Sequence, residues 1–79
     1  MSSEQARILI KQLEDAWGRT LGAEQRAAYI QHLCGVSYEV GRLGIQQVIE
    51  TEEGRFPSIA TILRHCNSVA RQGVARGRS

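Results

Sequence analysis

One proline, Pro57, interrupts a chain in which apolar side chains otherwise recur at three- and four-residue steps. That period belongs to helices, and no apolar–polar alternation of the kind a strand needs persists anywhere. From Ser3, the segment SEQARILIKQLEDAWGRTLG sets Ala6, Leu9, Ile10, Leu13, Ala16, Trp17 and Leu21 on one stripe, with Gly22 as its predicted C-cap. AEQRAAYIQHLCGV follows with Tyr29, Ile30, Leu33 and Cys34 on one side, and Ser37 can cap the next segment. YEVGRLGIQQVIETEE carries Val40, Leu43, Ile45, Val48 and Ile49 on a broader arc. Gly41 and Gly44 weaken that helix but can admit a close neighbour, and Gly54 ends it.

Pro57 then has a specific use. It lacks an amide hydrogen and its φ is held near the helical value, so it suits the entrance of a helix. Ser58 can cap that helix, and Phe56 can staple the incoming chain against its first turn. Behind them Ile59, Ile62, Leu63, Cys66, Val69 and Ala70 form the tightest apolar stripe of the sequence. After Ala70, RQGVARGRS has no such stripe. The expected fold is all-α: a small bundle of three to four short helices over residues 1–70, with a flexible basic C-terminal tail over 71–79.

A chain of 79 residues makes one domain, and its four aromatics (Trp17, Tyr29, Tyr38, Phe56) leave the core to Leu, Ile, Val and Ala. The apolar runs are too short to span a bilayer, and MSSEQARILIKQ lacks the pattern of a secretory signal. Two cysteines without an export signal lead to the expectation of a cytoplasmic protein with reduced thiols. Charge divides sharply. Residues 1–54 hold all eight acids against five basic residues, whereas residues 55–79 hold Arg55, Arg64, Arg71, Arg76 and Arg78 and no acid. A basic end of this kind either meets an acidic partner or merely complements a helix C-terminus and keeps it soluble.

Chemistry is sparse. His32 with Cys34, and His65 with Cys66, are one or two residues apart, so on a helix each pair diverges rather than gripping one ion. Cys34 and Cys66 read instead as small buried hydrophobes. Neither a Cys–His pair with an orienting third group nor a phosphate-cradling glycine loop is found, so no catalytic residue, metal or cofactor is expected. LCGVSYEVGRL imitates the turn of a DNA-binding helix-turn-helix, except that Gln31 and Gly41 fall where that motif packs a small and an apolar residue. A small DNA-binding regulator therefore stays open as an alternative, as does a phage-encoded inhibitor of another host complex.

The order of features resembles the phage replicative-helicase loader and inhibitor proteins. The likeness runs over roughly residues 8–66: ILIKQLEDAW as a first helix ending in an aromatic, AAYIQHL as an aromatic-and-leucine helix, SYEVGRLGIQQVIE as the third, and RFPSIATIL as a Phe-Pro entrance to the last. FPSIATI is its most specific part. Thr61 stands where the family often has an acid completing a capping box, and Gly44 where a small helix former is usual. The resemblance implies an adaptor without catalysis that binds a hexameric replicative helicase, restrains its ATPase and helps deliver it to an origin marked by an initiator. It also implies that the C-terminal portion grips the helicase. Here that portion carries Arg64, His65, Arg71, Arg76 and Arg78, with Trp17, Phe56, Pro57 and Ser58 in structural roles.

Overall fold

The structure, a computed structural model, describes residues 1–74, and of Gly73 and Val74 only the backbone. Four helices follow one another: α1 (Ser3–Trp17), α2 (Ala23–Leu33), α3 (Tyr38–Thr51) and α4 (Ile59–Val69). The last runs on without a break into a π-helical turn, Ala70–Val74. The described residues contain no strand, and no helix among them is long and apolar enough to cross a membrane. The expected all-α bundle is what forms. Helical order nevertheless extends past the expected boundary at Ala70, because the backbone continues its hydrogen bonding through Arg71 to Val74. Residues 75–79, the greater part of the expected tail, lie outside the described residues.

The buried stripe of α1 is Ala6, Leu9, Ile10 and Leu13, and it belongs to one core cluster with Leu33 of α2, Ile45 and Val48 of α3, and Ile62 and Cys66 of α4. The most extensive packing joins α3 to α4, while α1 lies against both α2 and α3. Close contacts explain the two glycines of α3. A Cβ built on Gly44 would stand 2.6 Å from Cys66 Sγ and 3.0 Å from Cys66 Cα, so the two backbones cross where only hydrogen fits. Gly41 faces the side chains of Met1 and Leu9 instead.

Three sequence expectations need correcting. The first helix closes at Gly18, not Gly22: Gly18 takes φ +63°, ψ +33°, the left-handed conformation a Cβ disfavours, and its N–H donates to Asp15 and Glu14 carbonyls. Gly22 becomes the N-cap of α2, and Leu21 is buried from the linker rather than from the α1 stripe, while Ala16 is exposed. Second, Cys34 is exposed at the end of α2, so only Cys66 is a buried small hydrophobe. Its burial pushes the Cys66 thiol above the usual range. Third, Pro57 stands at the entrance as expected, directly before the N-cap Ser58, but Phe56 packs on Trp17 and Tyr29, with ring centroids 5.8 and 6.0 Å away. It thus anchors the connection to α1 and α2.

That connection is tied down at successive points. Trp17 Nε1 donates to the Gly54 carbonyl at 3.1 Å, and the buried Tyr29 hydroxyl donates to the Pro57 carbonyl at 2.8 Å. Arg19 lies over the Phe56 ring, 5.8 Å from its centroid. Ser58 then caps α4 as expected, its hydroxyl oxygen accepting from Thr61 N–H at 3.2 Å and its O–H donating to the Thr61 hydroxyl. Ser58→Ala removes the partner of an otherwise orphaned helix-start donor and is expected to destabilise the fold by about 1 kcal/mol. Urea unfolding checks this, and Ser58→Asp should recover most of the loss.

Candidate partner-binding site

With its entrance pinned, α4 has a fixed rotation. Ile62, Cys66 and Val69 face inward, so Arg64, Asn67 and Arg71 face out. Arg64, Asn67, Ser68, Arg71 and Gln72 line one shallow pocket of about 250 Å³ on that outer side. Positions 64, 67, 68 and 71 fall at the three- and four-residue steps of one helix face. At the helical rise, seven residues separate the two guanidinium-bearing positions by about 10 Å. Ser68 and Gln72 are joined, Gln72 Nε2 donating to Ser68 Oγ at 3.4 Å.

The electrostatics of this face are uniform. No acid occurs from Gly54 to the last residue, so neither α4 nor its π-helical extension carries a negative side chain of its own. Arginine stays protonated throughout the physiological range and offers five donors in a planar fork, which suits carboxylate or phosphate. An arrangement of two guanidiniums with an amide and a hydroxyl between them can hold an anion. It has no group that takes up or releases a proton near neutral pH.

His65 is placed differently from the two arginines. Its ring is turned inward between α4 and α3, with Nδ1 2.7 Å from Gln47 Oε1 and Nε2 3.0 Å from Glu52 Oε2. Only 14 % of its side chain is exposed. Glu52 is the C-cap residue of α3, so this histidine joins the end of α3 to the middle of α4. Among the expected binding residues, then, the structure brings Arg64 and Arg71 together, turns His65 away from them, and leaves Arg76 and Arg78 outside the described residues. Asn67, Ser68 and Gln72 were not singled out by sequence. The signal that finds them is the polar complement of the apolar stripe, read at the same three- and four-residue steps.

The structural residues take the positions described above: Trp17 and Phe56 in the aromatic cluster, Pro57 buried, Ser58 as a cap. The stretch that imitates a helix-turn-helix does form a helix, a short turn and a helix. However, α2 packs on α1 and α4, and its contact with α3 is slight, whereas a DNA-reading pair requires those two helices to brace each other. Cys66 Sγ faces Gly44 while the neighbouring His65 ring faces Gln47 and Glu52, so the two side chains diverge. No group of three or more His, Cys, Asp or Glu among the described residues is placed to hold a metal ion. Neither a family model, nor a curated protein, nor a solved structure matches this chain.

Proposed function

We propose that this chain is a non-catalytic adaptor of the phage replication type, acting in the cytoplasm of a bacterial host. It binds a hexameric replicative helicase and inhibits or loads it, with an origin-bound initiator as a further partner. The observation that carries this reading is the outer face of α4, where Arg64 and Arg71 share one shallow polar pocket on an acid-free helix. In sequence, α4 is followed by Arg76 and Arg78, within the part of the chain that the family resemblance assigns to helicase contact. A face of this kind fits an acidic protein surface: exposed guanidiniums steer the encounter by charge complementarity. His65 supports the face from behind by holding α4 against the end of α3.

The test is gel filtration with light scattering of the protein mixed with the host's replicative helicase, with and without ATP, at physiological salt. The expected result is a shift to a larger complex, and R64E/R71E should weaken it at least about tenfold, a difference of about 1.4 kcal/mol. Both side chains are exposed, so the variant should unfold at the same urea concentration as the parent. No complex with an active hexamer would overturn the helicase reading. A complex insensitive to R64E/R71E would keep the partner and discard the face. Tight, strongly salt-dependent binding to duplex DNA, weakened by the same substitutions, would move the α4 face to nucleic acid.

A further inference from the structure

A second cationic surface lies between α1 and α2. Arg7, Lys11 and Glu14 follow one another down α1 at four- and three-residue steps, facing Arg26, Ala27 and Ile30 on α2. They line a cleft in two continuous parts that share Arg7 and Arg26. The part floored by Ala27 and Ile30 measures about 420 Å³, and the part ending at Glu14 about 250 Å³.

Glu14 is the one acid in the lining, and its charge is spent internally. The carboxylate is buried, accepting from Leu21 N–H at 2.9 Å and from Arg26 Nη2 at 2.7 Å. Only the Glu14 side of this ion pair is buried, while the Arg26 side chain stays partly exposed at the cleft. What this one adds is a guanidinium with a fixed position, one terminal nitrogen committed to Glu14 and the rest of the fork available at the cleft. Arg7 is exposed on the facing helix. Lys11 Nζ lies 4.0 Å from Asp15, with both side chains more than two-thirds exposed, an ion pair too weak to resist a competing anion.

We infer that this cleft is a docking groove for an acidic, amphipathic peptide segment of a partner protein. Its carboxylates meet Arg7, Lys11 and Arg26, and an aliphatic side chain rests on Ala27 and Ile30. The apolar floor separates this occupant from a nucleic-acid backbone, whose evenly spaced phosphates have no use for it and would pass Glu14 and Asp15 as well. Helix-in-groove recognition lays the apolar face of a partner helix on such a strip, and a charged rim adds partner choice. The groove uses no residue of α4, so it stands or falls separately from the helicase-binding reading.

The experiment is a titration of the ¹⁵N-labelled full chain with a short peptide carrying glutamate and leucine at helical three- and four-residue spacing, and separately with oligothymidylate at the same salt. The expected result is peptide-induced shifts centred on Arg7, Lys11, Arg26, Ala27 and Ile30, with α4 undisturbed. R7E/K11E should weaken the peptide at least about tenfold. Ala27→Glu, which leaves both cations in place and puts a repelling charge on the exposed floor, should do the same. Three results would overturn the inference: peptide shifts that map to α4 or are absent, peptide affinity unchanged in both variants, or oligothymidylate occupying the cleft more tightly than the peptide.

Discussion

Gly44→Ala is expected to destabilise the protein by about 3 kcal/mol, at the upper end of overpacking penalties in a dense core. The sign of this change is informative, because in an exposed helix interior the same substitution stabilises by about 1 kcal/mol. What reverses it is the partner. The added methyl would meet Cys66 Sγ at 2.6 Å, Cys66 Cα at 3.0 Å and Cys66 N at 3.1 Å. A side-chain sulfur can turn aside, but two of the three atoms are backbone, so relief requires α3 and α4 to separate. That separation would loosen the most extensive helix pair in the molecule and the His65 bridge across it. For a domain of this size each kcal/mol moves the melting temperature by roughly 4–8 °C, so the loss is plain in a thermal scan. Gly41→Ala is the control. Its methyl would meet the ends of the Met1 and Leu9 side chains, and Met1 can swing away. It should fall within about 1 kcal/mol of the parent. If Gly44→Ala proved as harmless as Gly41→Ala, the close crossing of α3 and α4 would be wrong.

The two glycines also show how far the amino-acid pattern carries. Their presence on a helical apolar arc announces a close approach, but periodicity does not say which neighbour comes near, and a rigid backbone and a flexible side chain have different consequences. Element types were legible for the same reason that the stripe of α4 was: Ile59, Ile62, Leu63, Cys66 and Val69 repeat at one period, and a helix is the one structure that puts them on one side. Ends were harder to read. Gly18 and Gly22 are equivalent as letters, and the choice between them is made by Leu21, which is buried from the linker with its N–H on Glu14. Phe56 was recognisable as an anchor but not its mooring, since Trp17 and Tyr29 lie on α1 and α2, with the whole of α3 between them and Phe56.

The candidate site divides along the same line. Arg64 and Arg71, seven positions apart on one helix, are placed together by local geometry alone, and so are legible. His65 lies between them in sequence, and only the packing of α4 on α3 reveals that it turns to Gln47 and Glu52. The Arg7–Lys11–Arg26 cleft joins residues from two helices whose pairing no local pattern encodes. Composition concealed it as well, because the first 54 residues are acidic in sum while this surface is basic.

Glu14→Gln tests the buried carboxylate on which both the α1–α2 linker and the position of Arg26 depend. About 2 kcal/mol of destabilisation is expected near pH 7, the usual scale of a buried hydrogen bond to a charged group. The amide oxygen can still accept from Leu21 N–H, so the linker keeps a partner. The same oxygen, Oε2, also accepts from Arg26, so a neutral amide oxygen there keeps that contact but loses the anionic charge that strengthens it. The effect depends on pH in a definite direction. The Arg26 hydrogen bond and the Leu21 N–H hold the Glu14 carboxyl below its ordinary value of 4.5, against the opposing pull of burial. A carboxylate with a depressed folded-state pKa stabilises fully above the unfolded value, and that contribution disappears as pH falls through the folded one. The parent should therefore weaken on acidification below the ordinary glutamate range, while Glu14→Gln, which has no proton to gain, loses less. Urea unfolding of the two proteins from about pH 7 to about pH 3 should show their stabilities converging. A difference that stays constant over that range would mean that Glu14 carries no charge-dependent bond in the folded protein, and Arg26 would then have nothing to hold it at the cleft.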